Sequence, residues 1–157
     1  MQFKSDPNLV TELQPNQVFV FGSNEAGAHT GGAAGVAFWL DTHLPLHKPL
    51  QNEIGKWSVF GVARGLQRGY EGQSWGIVTI KRPGQLCSTD ICDIYDQVVE
   101  LVEYANQHPE LEFLITPIAE GYAGYDRDDM SNVWECINDN HGIPNNFTFV
   151  GRDWNAY

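Results

Sequence analysis

The sequence has little positive charge. Lysine and arginine together number nine, against twenty aspartates and glutamates, and the formal net charge is −11. Proteins that bind polymeric nucleic acid neutralise phosphates with basic side chains, so this composition argues against a nucleic-acid partner. It does not exclude a small nucleotide, which backbone N–H groups can hold without lysine or arginine. The simplest role for the acidity is solubility.

The sequence also has few cysteines and no long apolar run. Cys87, Cys92 and Cys136 are odd in number and show no regular framework, which predicts reduced thiols in an intracellular protein. Cys87 and Cys136 have no local signature of a nucleophile and are expected to be buried. No apolar stretch approaches the roughly 20 residues that span a bilayer. The first residues, MQFKSDPNLV, lack the apolar segment of a signal peptide. We therefore expect a cytoplasmic protein with no membrane partner.

Several familiar binding motifs are missing. The histidines form no H-x-x-x-H on a helix and the cysteines form no C-x-x-C, so we predict no metal site and no cofactor. The glycine spacing does not match G-x-G-x-x-G, and no glycine is followed by Lys and then Ser or Thr. Dinucleotide-binding fingerprints and Walker loops are thus excluded.

A strand followed by a glycine-rich loop dominates the first part of the chain. Val18 to Phe21 is apolar, and the segment after it holds five glycines: Gly22, Gly27, Gly31, Gly32 and Gly35. Ala33 to Leu40 reads as the start of a helix. Glycine lets bare backbone approach a ligand. The start of a helix supplies free N–H groups that suit a phosphate. A purely structural loop is the alternative.

The rest of the chain alternates between strands and helices. Residues 1–16 read as an extended lead-in, 41–56 as irregular, 56–62 as a short strand or loop, and the glycines from Gly61 to Gly72 as an exposed turn region. Then follow a strand (Gln73–Lys81), a helix capped at Ser88–Asp90 and ended by His108–Pro109, a strand (Glu112–Pro117), a glycine loop (Ile118–Asp126), a helix (Met130–Asn140) and a strand (Asn146–Val150). This order predicts one α/β domain over residues 1–157, with a mainly parallel sheet and both glycine loops at its carboxyl edge.

The second glycine loop contains Gly121-Tyr122-Ala123-Gly124-Tyr125. Its glycines suit backbone contact with a phosphate, and its tyrosines suit an aromatic wall for a sugar or base. Alternatively, the loop is a tight connection in which Tyr125 anchors the core. In the middle segment, Arg64 or Arg68 is a candidate for neutralising phosphate, and Trp75 either stacks on a ligand or lies in the core.

The two loops together resemble the macrodomain family. The segments VFGSNEAGAHTGGAAGVA and PIAEGYAGYD are similar in particular to a small macrodomain-like group of bacteria and phages, over roughly residues 17–135. The resemblance implies a three-layer α/β/α sandwich with a mainly parallel or mixed central sheet. It also implies a cleft for ADP-ribose or a related adenosine-diphosphate sugar. Gly31–Gly35 and Gly121–Tyr125 would clamp the diphosphate, and Asn24 would lie near the distal ribose.

The candidate ligand-binding residues come from both loops. They are Gly22, Ser23, Asn24, Gly31, Gly32, Ala33, Gly35, Gly121, Tyr122, Ala123, Gly124 and Tyr125. From the residues alone, Asn24 either contacts a ribose or closes an Asx turn. Gly32→Glu or Gly124→Glu is predicted to abolish binding and leave the fold intact.

Three functions remain open. The first is a reader or sequestering protein for ADP-ribose. The second is an ADP-ribosyl hydrolase with Asn24, His29 and Glu120 as tentative catalytic residues, in which His29 or Glu120 handles the proton. The segment GGAAGVAFW lacks the carboxylate found in some hydrolytic macrodomains, and no residue is assigned to the adenine. The third is a structural or partner-binding protein with no nucleotide ligand.

Overall fold

A computed structural model describes residues 1–8, 10, 13–24, 68–71, 73–82, 85–120 and 123–155. These residues form six strands and two helices. In chain order they are β1 (Ser5–Asp6), β2 (Gln17–Asn24), β3 (Gly69–Glu71), β4 (Ser74–Ile80), α1 (Ile91–Gln107), β5 (Glu112–Ile115), α2 (Arg127–Asn140) and β6 (Phe147–Val150). The predicted helix from Ala33 and the segments 41–56 and 56–62 lie outside the described residues.

The six strands form one mixed sheet in the order β1-β6-β5-β2-β4-β3. Along this order the strands β1, β6, β5, β2 and β4 are all parallel to their neighbours. β3, at the end of the order, runs antiparallel to β4. The predicted α/β class and the mainly parallel sheet are confirmed. The strands predicted near β2, β4, β5 and β6 are confirmed as well, and so are the helices predicted after β4 and after β5.

The end of β2 differs from the prediction. The sequence suggests that Gly22 ends the strand, but β2 continues through Ser23 to Asn24 because β4 runs beside it to Ile80. A Cβ on Gly22 would lie 3.1 Å from the Thr79 Oγ1 on that neighbouring strand. Glycine therefore serves close packing inside β2, and Gly22, Ser23 and Asn24 belong to the strand.

Two short edge strands were not predicted. Residues 69–71, expected in an exposed turn region, form β3, where Tyr70 stacks on Tyr104 with ring centroids 5.5 Å apart. In the lead-in, Ser5 and Asp6 pair with β6. Strands of two or three residues are too short for an alternating pattern, so their tertiary neighbours decide their conformation.

Both helices pack on the same face of the sheet. Asp90 caps α1 by accepting a hydrogen bond from the Cys92 N–H at 2.8 Å, and Asp126 and Asp129 form a capping box on α2. Residues of both helices share one buried core with alternate residues of the strands: Val18, Val20, Ile77, Ile94, Val98, Leu101, Phe113, Ile115, Trp134, Ile137, Phe147 and Phe149. This face of the sheet is therefore covered by helices.

One buried polar side chain of α1 completes the sheet. β3 pairs with β4 as far as Gly76, and Val78 lies two residues further along. There the amide of Gln97, which is 1% exposed, accepts from the Val78 N–H at 2.7 Å and donates to the Val78 carbonyl at 2.9 Å. Gln97 thus takes the place of a neighbouring strand, because buried backbone groups require hydrogen-bond partners.

Glu112 joins three strands at the amino edge of the sheet. Its Oε1 accepts from Gln17 Nε2 on β2, and its Oε2 accepts from Thr148 Oγ1 on β6, each at 2.8 Å. The hydrogen bond from Gln17 lowers the pKa of Glu112 most, and that from Thr148 contributes, although burial acts in the opposite direction. The folded state therefore favours the charged carboxylate.

We expect Glu112→Gln to lower stability in a pH-dependent way. A lowered folded pKa stabilises the protein above the ordinary glutamate pKa of 4.5, and this contribution disappears as pH falls through the folded value. Urea unfolding should show a deficit of about 1 kcal/mol at pH 7 that shrinks below pH ~4. Glu103→Gln, on an exposed position of α1, is the control. A deficit that is equal at both pH values would contradict this role.

Candidate functional site

The carboxyl ends of four parallel strands meet at one edge of the sheet. β2, β4, β5 and β6 all point toward this edge. The described segments that leave it are 81–82 and 85–90 after β4, 116–120 and 123–126 after β5, and 151–155 after β6. In open α/β sheets, ligands bind beyond such an edge.

The two glycine loops leave from neighbouring strands. β2 pairs with β5 through Val20 and Ile115, and the next residue, Thr116, donates from Oγ1 to the Val20 carbonyl at 2.7 Å. The chain from β2 continues to β3 and β4 on one side, whereas the chain from β5 continues to β6 on the other. Connections that diverge in this way leave a crevice between the two strand ends, known as a topological switch point.

The described parts of both candidate segments meet in this place. A Cβ on Gly22 would lie 3.8 Å from the backbone nitrogen of Ala119. Ser23 is 1% exposed, and its hydroxyl has no hydrogen-bond partner among the described residues. Asn24 ends β2. Seven of the predicted site residues lie outside the described ranges, and their roles stay predictions: His29, Gly31, Gly32, Ala33, Gly35, Gly121 and Tyr122.

The second glycine loop packs against the segment that follows β4. The Cys87 N–H donates to the Ala123 carbonyl at 2.7 Å, and the Tyr125 hydroxyl donates to the Thr89 carbonyl at 2.6 Å. Within the loop, the Tyr125 N–H donates to the Ala119 carbonyl at 3.2 Å. The described part of the loop is therefore fixed by hydrogen bonds to the segment after β4 and by a hydrogen bond between its own residues.

Tyr125 has the contacts of an anchor. It is half-buried, packs against the core and uses its hydroxyl proton in the bond to Thr89. Burial raises the pKa of its phenol, and the neighbouring Cys87 and Asp90 raise it further. Tyr125 is therefore a neutral donor at physiological pH. These contacts fit the alternative of a core anchor, while a role toward a ligand stays a prediction.

Gly124 lies in a crowded position. Its φ is +95°, and a Cβ there would lie 2.8 Å from Leu86 Cβ and 3.0 Å from the Cys87 nitrogen. Real Cβ atoms essentially never come as close to another atom as this one would to Leu86 Cβ. Gly124→Glu is therefore expected to displace residues 86–87, so the prediction that it leaves the structure undisturbed does not fit this position.

Glu120 forms an ion pair with an arginine from beyond the last strand. Arg152 Nη1 donates to Glu120 Oε1 at 2.7 Å, and the two side chains are 23% and 17% exposed. The guanidinium carbon lies 4.4 Å from the ring centroid of Trp154. Glu120 Oε2 and Arg152 Nε are buried and have no hydrogen-bond partner among the described residues.

Arg152 also borders a cleft beside α2. The cleft has a volume of about 340 Å³ and lies between the helix and the segments near the two ends of the described chain. Its lining is Met1, Phe3, Arg127, Asp128, Ser131, Asn132, Glu135, Arg152, Trp154 and Asn155. The sequence reasoning missed Arg152, because a single arginine next to Asp153 and Trp154 matches no motif.

Other candidates from the sequence have ordinary structural contacts. Arg68 lies 3.0 Å from Glu100 and 3.9 Å from Asp93 on α1, so its charge is balanced there. Trp75 is 6% exposed and belongs to the core. Arg64 lies outside the described residues.

The cysteine prediction is wrong in one respect. All three thiols are free, as expected, but Cys87 and Cys136 are exposed rather than buried, and Cys92 is exposed as well. Cys136 and Cys92 lie on the outer faces of α2 and α1, where helical periodicity alone decides burial. Within the described ranges, no three histidine, cysteine or carboxylate side chains form a metal-ion site. Neither α1 nor α2 is both long and apolar enough to cross a bilayer.

Comparisons with protein-family models, with curated proteins and with solved structures give no significant match to this chain.

Proposed function

We propose that this protein binds ADP-ribose or a related adenosine-diphosphate sugar, as a reader or a sequestering protein. The observation that supports this most is the position of β2 and β5. They are neighbours in the sheet, each leads into a glycine-rich segment, and their connections diverge. A dinucleotide-like ligand fits such a crevice, since glycine-rich backbone on two sides presents N–H groups to a diphosphate.

The charge of the chain agrees with a small anionic ligand held by backbone. With a net charge of −11, the chain as a whole would repel a polyanion. Near the carboxyl edge, Arg152 is paired with Glu120, and Lys81 lies 3.5 Å from Asp93. Recognition by hydrogen bonds from N–H groups is compatible with this balance.

The proposal includes the three-layer sandwich that the resemblance implies. Phe19, Phe21 and Leu114 alternate along their strands with the residues that pack on α1 and α2, so they face the other side of the sheet. Each is at most 6% exposed, and the rings of Phe19 and Phe21 stack with centroids 6.4 Å apart. Burial on both faces is typical of a parallel sheet between two layers.

Calorimetric titration with ADP-ribose tests the proposed ligand. AMP, NAD and ribose phosphate are the comparison ligands. We expect micromolar binding that requires both the diphosphate and the free distal ribose. No heat with ADP-ribose, at protein concentrations that detect millimolar binding, would refute the proposal. Release of ADP-ribose from modified substrates would instead favour the hydrolase.

We expect Asn24→Ala to weaken ADP-ribose binding about tenfold if Asn24 contacts the distal ribose. One neutral hydrogen bond contributes about 1 kcal/mol, and leaving its partner group without a hydrogen bond costs more than that. Gly32→Glu should abolish binding, because it introduces a negative side chain where the diphosphate would lie. Asn138→Ala, at an exposed position of α2, is the matched control. Equal affinities for Asn24→Ala and the control, measured by the same titration, would remove Asn24 from the site.

A further inference from the structure

The second glycine loop receives a tether from a part of the chain that no motif marks. On the carboxyl side of the loop, Ala123 and Tyr125 bond to Cys87 and Thr89, which follow β4. On its amino side, Glu120 is held by Arg152, which follows β6 and lies 32 residues away along the chain. Glu120 directly precedes Gly121, so this ion pair acts next to the first glycine of the loop.

Arg152 is itself held in place. Its carbonyl accepts from Ser5 Oγ at 3.2 Å, and Ser5 Oγ in turn accepts from the Trp154 N–H at 3.0 Å. The Trp154 indole donates to the Val150 carbonyl at 3.0 Å and places its ring against the guanidinium. Arg152 therefore belongs to a rigid support built on β1 and β6, not to a freely moving surface.

Glu120 is better placed for holding than for proton transfer. One carboxylate oxygen accepts from a guanidinium, and the other is shielded from solvent. A general base must reach the proton that it removes, directly or through one water. In addition, an unpaired carboxylate beside a diphosphate would repel it, and the guanidinium balances that charge.

We propose that Arg152 is a positioning residue for the second glycine loop, and that Glu120 is its structural partner rather than an acid or base. The consequence for binding rests on the proposed function. The ion pair fixes Glu120 before the ligand arrives and neutralises the carboxylate that directly precedes Gly121. Binding then does not have to order the Glu120 side chain, a cost that would weaken affinity.

The ligand-dependent test compares variants of the pair by titration with ADP-ribose. Arg152→Gln should weaken binding at least tenfold, because it leaves a buried carboxylate unpaired beside the loop. Arg152→Lys, which keeps the charge, should regain part of the loss. The double variant Glu120→Gln/Arg152→Gln should bind more tightly than Arg152→Gln alone, since it removes the repelling charge. Arg68→Gln, which breaks an ion pair on α1 instead, is the control.

The ligand-independent test uses amide hydrogen exchange by NMR. The Cys87 and Tyr125 N–H groups donate to carbonyls of the loop, so their exchange reports on local opening. Arg152→Gln should speed exchange at both amides about tenfold relative to the α1 amides, while Arg68→Gln should not. Arg152→Lys covers the possibility that Arg152→Gln fails to fold.

The outcomes separate the two proposals. If the wild-type protein binds no ADP-ribose but Arg152→Gln speeds loop exchange, the proposed function fails and the positioning role stands. If Arg152→Gln changes neither exchange nor affinity, the positioning role is overturned. If Glu120→Gln strongly lowers the release of ADP-ribose from a modified substrate and the residual activity lacks the acidic limb of the wild-type pH profile, while exchange is unchanged, Glu120 is the proton-transfer group and the inference is wrong.

Discussion

Gln97→Leu is expected to lower the free energy of unfolding by about 3 kcal/mol, a large share of the 5–15 kcal/mol that stabilises an ordinary domain. The substitution keeps the side-chain volume but strands the N–H and the carbonyl of Val78. Each unpartnered buried group costs about 1–3 kcal/mol, and the gain from a buried leucine offsets part of that loss. Urea unfolding followed by circular dichroism measures the effect.

A matched substitution isolates the hydrogen bonds from helix propensity. Gln107→Leu makes the same change at an exposed position of α1 and should alter stability by no more than about 0.5 kcal/mol. Gln97→Glu should be at least as destabilising as Gln97→Leu at pH 7, because it either buries a charge against the Val78 carbonyl or must take up a proton. Equal stability of Gln97→Leu and Gln107→Leu would show that Val78 finds other partners.

Gly124→Ala should destabilise the protein by about 3 kcal/mol, although the change adds a single methyl group. About 1 kcal/mol follows from the positive φ, and the rest follows from a Cβ within 3.1 Å of three atoms of Leu86 and Cys87. Two of those atoms are backbone, so a change of rotamer does not relieve the contact. The measurement is the urea midpoint at an unchanged dependence on denaturant.

Gly142→Ala is the natural control for Gly124→Ala. Gly142 also has a positive φ, +79°, but a Cβ there would have no neighbour within 4 Å. Its loss should be about 1 kcal/mol, which is the conformational part alone. Equal losses at the two glycines would mean that the segment 86–87 moves aside freely, and Gly124→Glu would then regain its value as a test of the diphosphate clamp.

The parts of the fold that could be predicted are those with long periodic patterns. α1 shows apolar residues at helical spacing and is capped by Asp90, and β4 is a β-branched run, so the sequence predicts both elements to within a residue or two. The prediction that Gly22 ends β2 is wrong, because glycine occurs both at the end of a strand and at positions of close packing inside one. β3 has three residues, and its pairing with β4 depends on contacts that local sequence does not encode.

The candidate site was predictable on one side only. Glycines and tyrosines near Gly121 mark the second loop, and the alternation of strands and helices places it at the carboxyl edge. The sequence cannot show that Glu120 is paired, because Arg152 lies 32 residues away and its approach depends on β6 and β5 being neighbours. Nor can it show that Gly124 is crowded, since the crowding atoms belong to Leu86 and Cys87.

The pairing of β1 with β6 has a consequence for synthesis on the ribosome. Ser5 and Asp6 are synthesised well before Phe149 and Val150, which are their only partners among the described strands. The Asn155 side chain, which holds both the N–H and the carbonyl of Phe3, comes later still. Such contacts, distant along the chain, form slowly. The nascent chain must therefore carry β1 without this pairing until β6 has been synthesised, a period in which the segment is open to misassembly.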